Sequence, residues 1–216
     1  MGQIKQIIWD WNGTLLNDVE MCVKIMNNLL HKYALPLLNC EKYREVFGFP
    51  VKDYYASLGF NFEKVPFELV GHEFMDAYFK ELPNSLLFPE VKQVLEEINK
   101  LGMNQLVLSA MEHKALEKSM NDKGILPYFS KVQGIDNHLA SGKAELAQGL
   151  IESSDYNEEE TLFVGDTLHD LEVAQLIGSS CILIANGHIS KGRLKNGDNK
   201  VIDNLAEFLK YFQSNF

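Results

Sequence analysis

The stretch IIWDWNGTLL, residues 7–16, decides how the chain is read. An apolar run ends at Asp10, Asn12-Gly13 follows, and Thr14 leads into Leu15 and Leu16. Asn-Gly between apolar flanks is a strong hairpin signal, because both residues tolerate the positive φ of a tight turn. The same letters also describe a carboxylate at the end of a buried strand, presented on a glycine turn. The residues that follow choose between the two. VEMCVKIMNNLLHKY, residues 19–33, carries apolar positions at three- and four-residue spacing and reads as a helix, not as a returning strand. Asp10 is therefore expected at a strand-to-loop junction.

Outward from this point, short apolar runs alternate with amphipathic segments. Strands are expected at 4–9, 105–110, 131–135, 161–165 and 181–185. Between them PEVKQVLEEINKLG, MEHKALEKSMNDKG, KAELAQGLIESS and HDLEVAQLIG read as helices, several closing on a glycine (Gly102, Gly124, Gly178) suited to a left-handed cap. That alternation implies a parallel sheet covered on both faces. One block departs from it. From about Asp18 to Ser85 the chain is helix-like and rich in Met, Phe and Tyr. A helical insertion after the first strand would stand above the carboxyl ends of the sheet, where open α/β folds place ligands. The division expected is a core of residues 1–16 and 86–216 and a helical lid of residues 17–85.

The totals agree with a well-packed protein. The chain has 216 residues, 46% hydrophobic and 11% aromatic, with net charge -10 and an isoelectric point near 5.1. An acidic surface argues against nucleic acid or anionic membrane as partner. No apolar run approaches the ~18 residues of a membrane span. The run before Asp10 is too short for a signal peptide, and Met1-Gly2 lacks the Ser or Thr at position 6 that myristoylation favours. Cys22, Cys40 and Cys181 form no CxxC pair and read as reduced thiols, so a soluble, cytoplasmic protein is expected, monomer or homodimer.

Chemistry-bearing residues fall at strand ends. Asp10 follows the first strand, Ser109 ends LVLS, Lys143 opens a helix after SGK, and Asp166 and Asp170 lie in VGDTLHD. Singly, each is a cap, a turn former or a solvated lysine. Together they form a set: carboxylates for a divalent cation, a lysine and a hydroxyl for an anion, and a carboxylate nucleophile.

These motifs resemble the haloacid dehalogenase superfamily of phosphohydrolases over essentially the whole chain. DWNGTL is similar to the family's DxDGT[LV] except at one letter; LVLSA, SGK and VGDTLHD are similar to its second, third and fourth motifs. The resemblance implies a Rossmann-like doubly wound parallel sheet with a small α-helical cap, as in phosphoglycolate phosphatase-like members. It implies a small phosphorylated metabolite as substrate and Mg²⁺ as cofactor. Asp10 would be the nucleophile that forms an aspartyl-phosphate. The metal would take Asp10, Asp166 and the main-chain carbonyl of Asn12, with Asp170 supporting it directly or through water. Ser109, the amides of Ala110 and Met111, Thr14 and Lys143 would hold phosphate and Asp10.

Asn12 is the departure. Family members that hydrolyse phosphate esters usually carry Asp there, to protonate the leaving group and then activate water; an amide does neither. General acid–base catalysis is worth on the order of 10²–10⁴-fold, so slow turnover is expected, with the smallest loss for good leaving groups. Three explanations stand: another group such as His169 takes over, the Asn is an introduced change, or the chain binds phosphate ligands without turning them over. A phosphonoacetaldehyde hydrolase-like reading would make Lys52, in FGFPVKDYY, a Schiff-base lysine. In the phosphatase reading Lys52 and Arg44 would meet an anionic tail of the substrate. SKGRLKNGDNK is expected to be a solvated loop without a site, and residues 16–18 and 83–89 to be hinges.

Overall fold

The computed structural model describes residues 4–135, 143–195, 197 and 199–216. Met1 and Gly2, Ser141 and Gly142 of SGK, and Asn196 and Asp198 of the charged loop lie outside the described residues.

The central strand β1 (Gln6–Trp9) alternates its side chains between two buried faces. Ile7 and Trp9 join one apolar cluster with α5 (Val91–Lys100) and α10 (Leu205–Asn215). Ile8 points the other way, into a second cluster with α7 (Lys143–Glu152) and α8 (Leu168–Leu176). A strand buried on both faces has no use for polar alternation, which is why the run reads as continuously apolar. Burying each such side chain contributes about 1.5–3 kcal/mol.

The remaining strands are β4 (Asn104–Glu112), β5 (Lys131–Ile135), β6 (Thr161–Gly165), β7 (Ser180–Ile184) and β8 (Lys200–Ile202). They complete a six-stranded sheet in the order β5-β4-β1-β6-β7-β8, every pair parallel. Connections leave β1 toward β4 on one side and β6 on the other, so the carboxyl edge beside β1 is a topological switch point. The fold is the expected doubly wound α/β one. Edge strand β8 was not anticipated: KVI is three residues long and adjoins a charged loop, too short for a periodic signal.

The chain leaves the sheet through β2 (Leu16–Asn17) and returns through β3 (Leu86–Leu87), which pair antiparallel as Leu16↔Leu87 and Asn17↔Leu86. Between them lie α1 (Val19–Lys32), α2 (Cys40–Val46), α3 (Val51–Ser57) and α4 (Phe67–Glu81), with no strand. The Asn-Gly turn is thus no hairpin: the amides of Leu15 and Leu16 both bond to the Trp11 carbonyl, at 3.0 and 2.9 Å, and helix α1 follows.

The helical segment is also tied to the loop after β7. Arg44 of α2 donates to the main-chain carbonyls of Gly187 (2.8 Å) and Asn186 (3.2 Å). Arg193, in α9 (Lys191–Leu194), donates in return to the carbonyls of Arg44 (3.0 Å) and Phe47 (2.6 Å). Two sequence expectations are corrected here. Arg44 is engaged by backbone and does not face an anionic tail, and the charged C-terminal loop is a clasp as well as a solvated surface. Among the described residues no helix is long and apolar enough to cross a membrane.

Replacing Arg193 with Met keeps the aliphatic stem and removes both bonds to the helical segment. Urea denaturation should then show a loss of about 1–3 kcal/mol; an unchanged midpoint would mean that the clasp carries no stability.

Candidate active site

The site begins where β1 ends. The Asp10 amide donates to the Val164 carbonyl at 2.8 Å, which extends the sheet ladder by one residue and aims the carboxylate off the carboxyl edge. The chain then turns through Gly13, whose φ is +75°. A Cβ at Gly13 would overlap the Asp166 carboxylate and the His188 ring, so only glycine allows the turn to approach both.

Around Asp10 the groups interlock. Lys143, the first residue of α7, donates to Asp10 Oδ1 and, at 2.5 Å, to Asp170 Oδ1. Thr14 Oγ1 reaches Asp10 Oδ2 at 3.2 Å and Asp166 Oδ1 at 3.3 Å. Asp170 also closes a capping box at the start of α8, its Oδ2 accepting from the Thr167 hydroxyl (2.7 Å) and amide (3.0 Å). Ser109, in β4, accepts from the Met111 amide at 3.1 Å and donates to Asn12 Oδ1 at 3.4 Å. Ser109, Ala110 and Met111 lie within a register shift between β4 and β5 and line a cavity of about 350 Å³ above the sheet edge.

Oxygens of Asp10, Asp166 and Asp170 lie within 4.8 Å of one another, all buried, with one ammonium among them. Burial drives the Asp10 carboxyl up to about 7, against the pull of Lys143, and drives Asp166 up to about 8. Burial also works upward on Asp170, but Lys143 outweighs it and holds that carboxyl below its ordinary value. Lys143 is raised, its two carboxylates overcoming its own desolvation. Three hard oxygen donors with surplus negative charge fit a divalent cation of the Mg²⁺ type.

A second network, unforeseen in the sequence, adjoins the first. Asn12 Nδ2 donates to Asp18 Oδ2 at 2.9 Å and to the Tyr78 hydroxyl at 2.6 Å, and that hydroxyl donates to the same Asp18 oxygen at 2.8 Å. Asp18 Oδ1 faces His188 Nε2 at 3.1 Å, and Tyr43 meets His188 Nδ1 at 2.8 Å. The His188 amide donates to Asp166 at 2.6 Å, linking both networks. Burial alone would neutralise the imidazole, but Asp18 raises it to about 9; in turn His188 holds Asp18 below its usual value against burial. At neutral pH this is a charged pair.

His169 was the sequence's candidate to stand in at position 12. The structure places it in the lining of the same cavity, with Nδ1 3.4 Å from Glu172 and its ring 5.2 Å from that of Phe49, and not in hydrogen-bond contact with Asn12. His188 occupies the place beside Asp18 instead. The signal for it was NGH directly after the apolar run CILIA, the strand-end position shared by the other site residues. Lys52 is not brought in: it does not line the cavity, and its ammonium stands 5.8 Å from the Phe62 ring. The Schiff-base reading loses its lysine.

Replacing Asn12 with Asp would set a second carboxylate against Asp18 where an amide now donates. Like charges raise the new acid's pKa, so the penalty is absent in acid and grows as pH rises through the folded-state value. Chemical denaturation should show a loss of about 1–3 kcal/mol at pH 8 and much less at pH 5; an equal effect at both pH values would exclude carboxylate repulsion.

Without a cation, the raised Asp10 and Asp166 favour the folded state in acid, and that contribution is lost as pH climbs through about 7 to 8. Mg²⁺ competes with those protons. Thermal melts should therefore show a Mg²⁺-induced rise in Tm that is larger at pH 8 than at pH 5.5. A rise independent of pH would place the cation elsewhere.

Comparison with known proteins agrees with this architecture. The family model described as haloacid dehalogenase-like hydrolase matches residues 7–184. A phosphoglycolate phosphatase of Vibrio parahaemolyticus is 24% identical over 218 residues, covering 96% of this chain and 95% of the relative. Pyrophosphatase PpaX of Bacillus mycoides is 22% identical, covering 85% and 84%. A haloacid dehalogenase-like family protein of known structure from Streptococcus pneumoniae superposes with TM-score 0.84 at 19% identity, over 99% of this chain and 100% of that one. The chain belongs to the haloacid dehalogenase-like hydrolases.

Proposed function

We propose that this hydrolase is a Mg²⁺-dependent phosphatase that acts on a small phosphorylated metabolite through an aspartyl-phosphate on Asp10. The observation that carries the reading is the contact of Asp10 with Lys143 among buried carboxylates at the floor of a cavity. A carboxylate so placed is desolvated and aimed at whatever fills the space above it.

In this reading residues 17–85 cap a core of residues 1–16 and 86–216. Mg²⁺, held by Asp10, Asp166 and the Asn12 carbonyl with Asp170 behind them, would supply positive charge to the phosphoryl oxygens. One Asp10 oxygen attacks phosphorus while Lys143 holds the other. The Ser109 hydroxyl and the amides of Ala110 and Met111 donate to the phosphoryl oxygens, and Thr14 orients the Asp10 and Asp166 carboxylates. Asn12 contributes its main chain and an amide locked to Asp18, and no proton. A cytoplasmic setting accords with the free thiols Cys22, Cys40 and Cys181. The names of the relatives favour phosphomonoester or phosphoanhydride hydrolysis as the reaction class.

Phosphate release from acetyl phosphate tests the reading. Activity should require Mg²⁺, vanish with EDTA, and fall at least about 10³-fold in Asp10→Ala and about 10²–10³-fold in Lys143→Met. Release that survives Asp10→Ala would remove the nucleophile from the mechanism.

A further inference from the structure

The cavity above Asp10 has a polar floor and a roof of a different kind. Over the floor stand Phe47, Phe49, Tyr55, Phe67, Phe74 and Met75, from α3, α4 and the loop before α3. Their rings contact one another, Tyr55 lying 5.7 Å from Phe67 and 6.4 Å from Phe74, and Phe47 5.7 Å from Phe49. At the mouth Phe49 and Met75 remain 51% and 41% exposed, large apolar side chains left open to solvent where a ligand would cover them.

No Lys or Arg of residues 17–85 lines this space, among the described residues. Arg44 and Lys52 are turned away, as described above. Of the basic side chains that do line it, Lys143 is committed to Asp10 and Asp170 and His188 to Asp18, while the His169 ring lies against Phe49 with Nδ1 3.4 Å from Glu172. A leaving group carrying a carboxylate or a second phosphate would bury its charge against rings with no free Lys or Arg to meet it.

A second observation bears on the same leaving group. The Asn12 amide is no general acid, so a departing oxygen that is stable as an anion leaves most readily. Phenols, with pKa about 10, meet that need; aliphatic alcohols, about as weakly acidic as water at ~15.7, do not.

We propose that the substrate is an aryl phosphate, the phosphate monoester of an uncharged aromatic alcohol, its phosphoryl group on the floor and its ring under the aromatic roof. This rests on the phosphatase reading and narrows it. Asp10 forms the O–P bond as the P–O(aryl) bond breaks, and the electron pair leaves on the phenolate. Water then attacks the phosphorus of the aspartyl-phosphate, Asp10 regains its carboxylate, and the water's protons pass to phosphate and phenolate. The products are the phenol and inorganic phosphate.

The test is a panel at saturating Mg²⁺: 2-naphthyl phosphate, phenyl phosphate, 4-carboxyphenyl phosphate, phosphoglycolate, and acetyl phosphate as a small, activated control. The first three release alcohols of similar acidity, so differences among them read size and charge. For 2-naphthyl phosphate kcat/KM should exceed that for 4-carboxyphenyl phosphate and for phosphoglycolate by at least about 10-fold. Phe49→Lys, at an exposed position, should narrow that ratio at least about fivefold. Calorimetry with the non-hydrolysable 2-naphthylmethylphosphonate should show tighter binding than phosphonoacetate. Equal or better turnover of phosphoglycolate would overturn the aryl class and leave the phosphatase standing. No release from any ester or from acetyl phosphate, with the naphthyl phosphonate still preferred, would overturn the phosphatase and keep the ligand class. Absence of both turnover and binding would overturn both.

Discussion

Three buried carboxylates and one lysine at the carboxyl edge of the sheet set the terms for everything built around them. Like charges so close repel strongly where water is excluded, so Asp10, Asp166 and Asp170 are tolerable only with compensation. Lys143 supplies part of it, bridging Asp10 and Asp170 from the first turn of α7. The Thr167 capping box supplies more, placing amide and hydroxyl donors against Asp170. What is left uncompensated falls on Asp10 and Asp166, the two groups whose carboxyls are pushed upward and keep protons that a cation would displace. In the proposed reading a cation would offset this cost, and a phosphoryl group above it would find its own charge balanced.

The turn from Asp10 to Leu16 carries that constraint into the helical segment. Gly13 brings the backbone against Asp166 and His188, and Asn12 is held by Asp18 and Tyr78. Asp18, at the entry to α1, pairs with His188 Nε2 from the loop after β7, and the Tyr43 hydroxyl of α2 meets Nδ1, the other ring nitrogen. The core and the helical segment therefore meet through buried, directional bonds, with the Arg44 and Arg193 contacts beside them. Asn12 belongs to this arrangement as a donor. An Asp in its place would confront Asp18, so the amide is matched to its surroundings and is not simply the loss of an acid.

Much of this was readable in the sequence, for a topological reason. In a parallel sheet every strand ends on the same edge, so DWNGTL, LVLSA, Lys143 and VGDTLHD had to converge once the strands were recognised. The Asp18–His188–Tyr43–Tyr78 network was not readable in the same way. Its members come from β2's exit, the loop after β7, α2 and α4, and no sequence spacing relates them. Each also has an ordinary local role: Asp18 stands at a helix start, and the tyrosines pack. His188 was the exception, since it follows a strand end as the other site residues do. Lys52 failed for the opposite reason: its position in sequence suggested the site, but α3 turns it toward Phe62.

The aromatic roof and Asn12 bear on each other. General acid catalysis matters most when the leaving oxygen is strongly basic; as the leaving group becomes more acidic, a proton donor contributes less. A site that selects ring-bearing, uncharged alcohols also selects those whose anions leave unaided, so the apolar lining reduces the need for an acid at position 12. The converse also holds. With an amide at 12 the chain is free to keep a buried Asp18 next to it, and Asp18 is the residue through which His188 and Tyr78 hold the helical segment over the site. The proposed substrate class and the bonding of the helical segment through Asp18 thus meet at one position, the amide of Asn12 at the turn after β1.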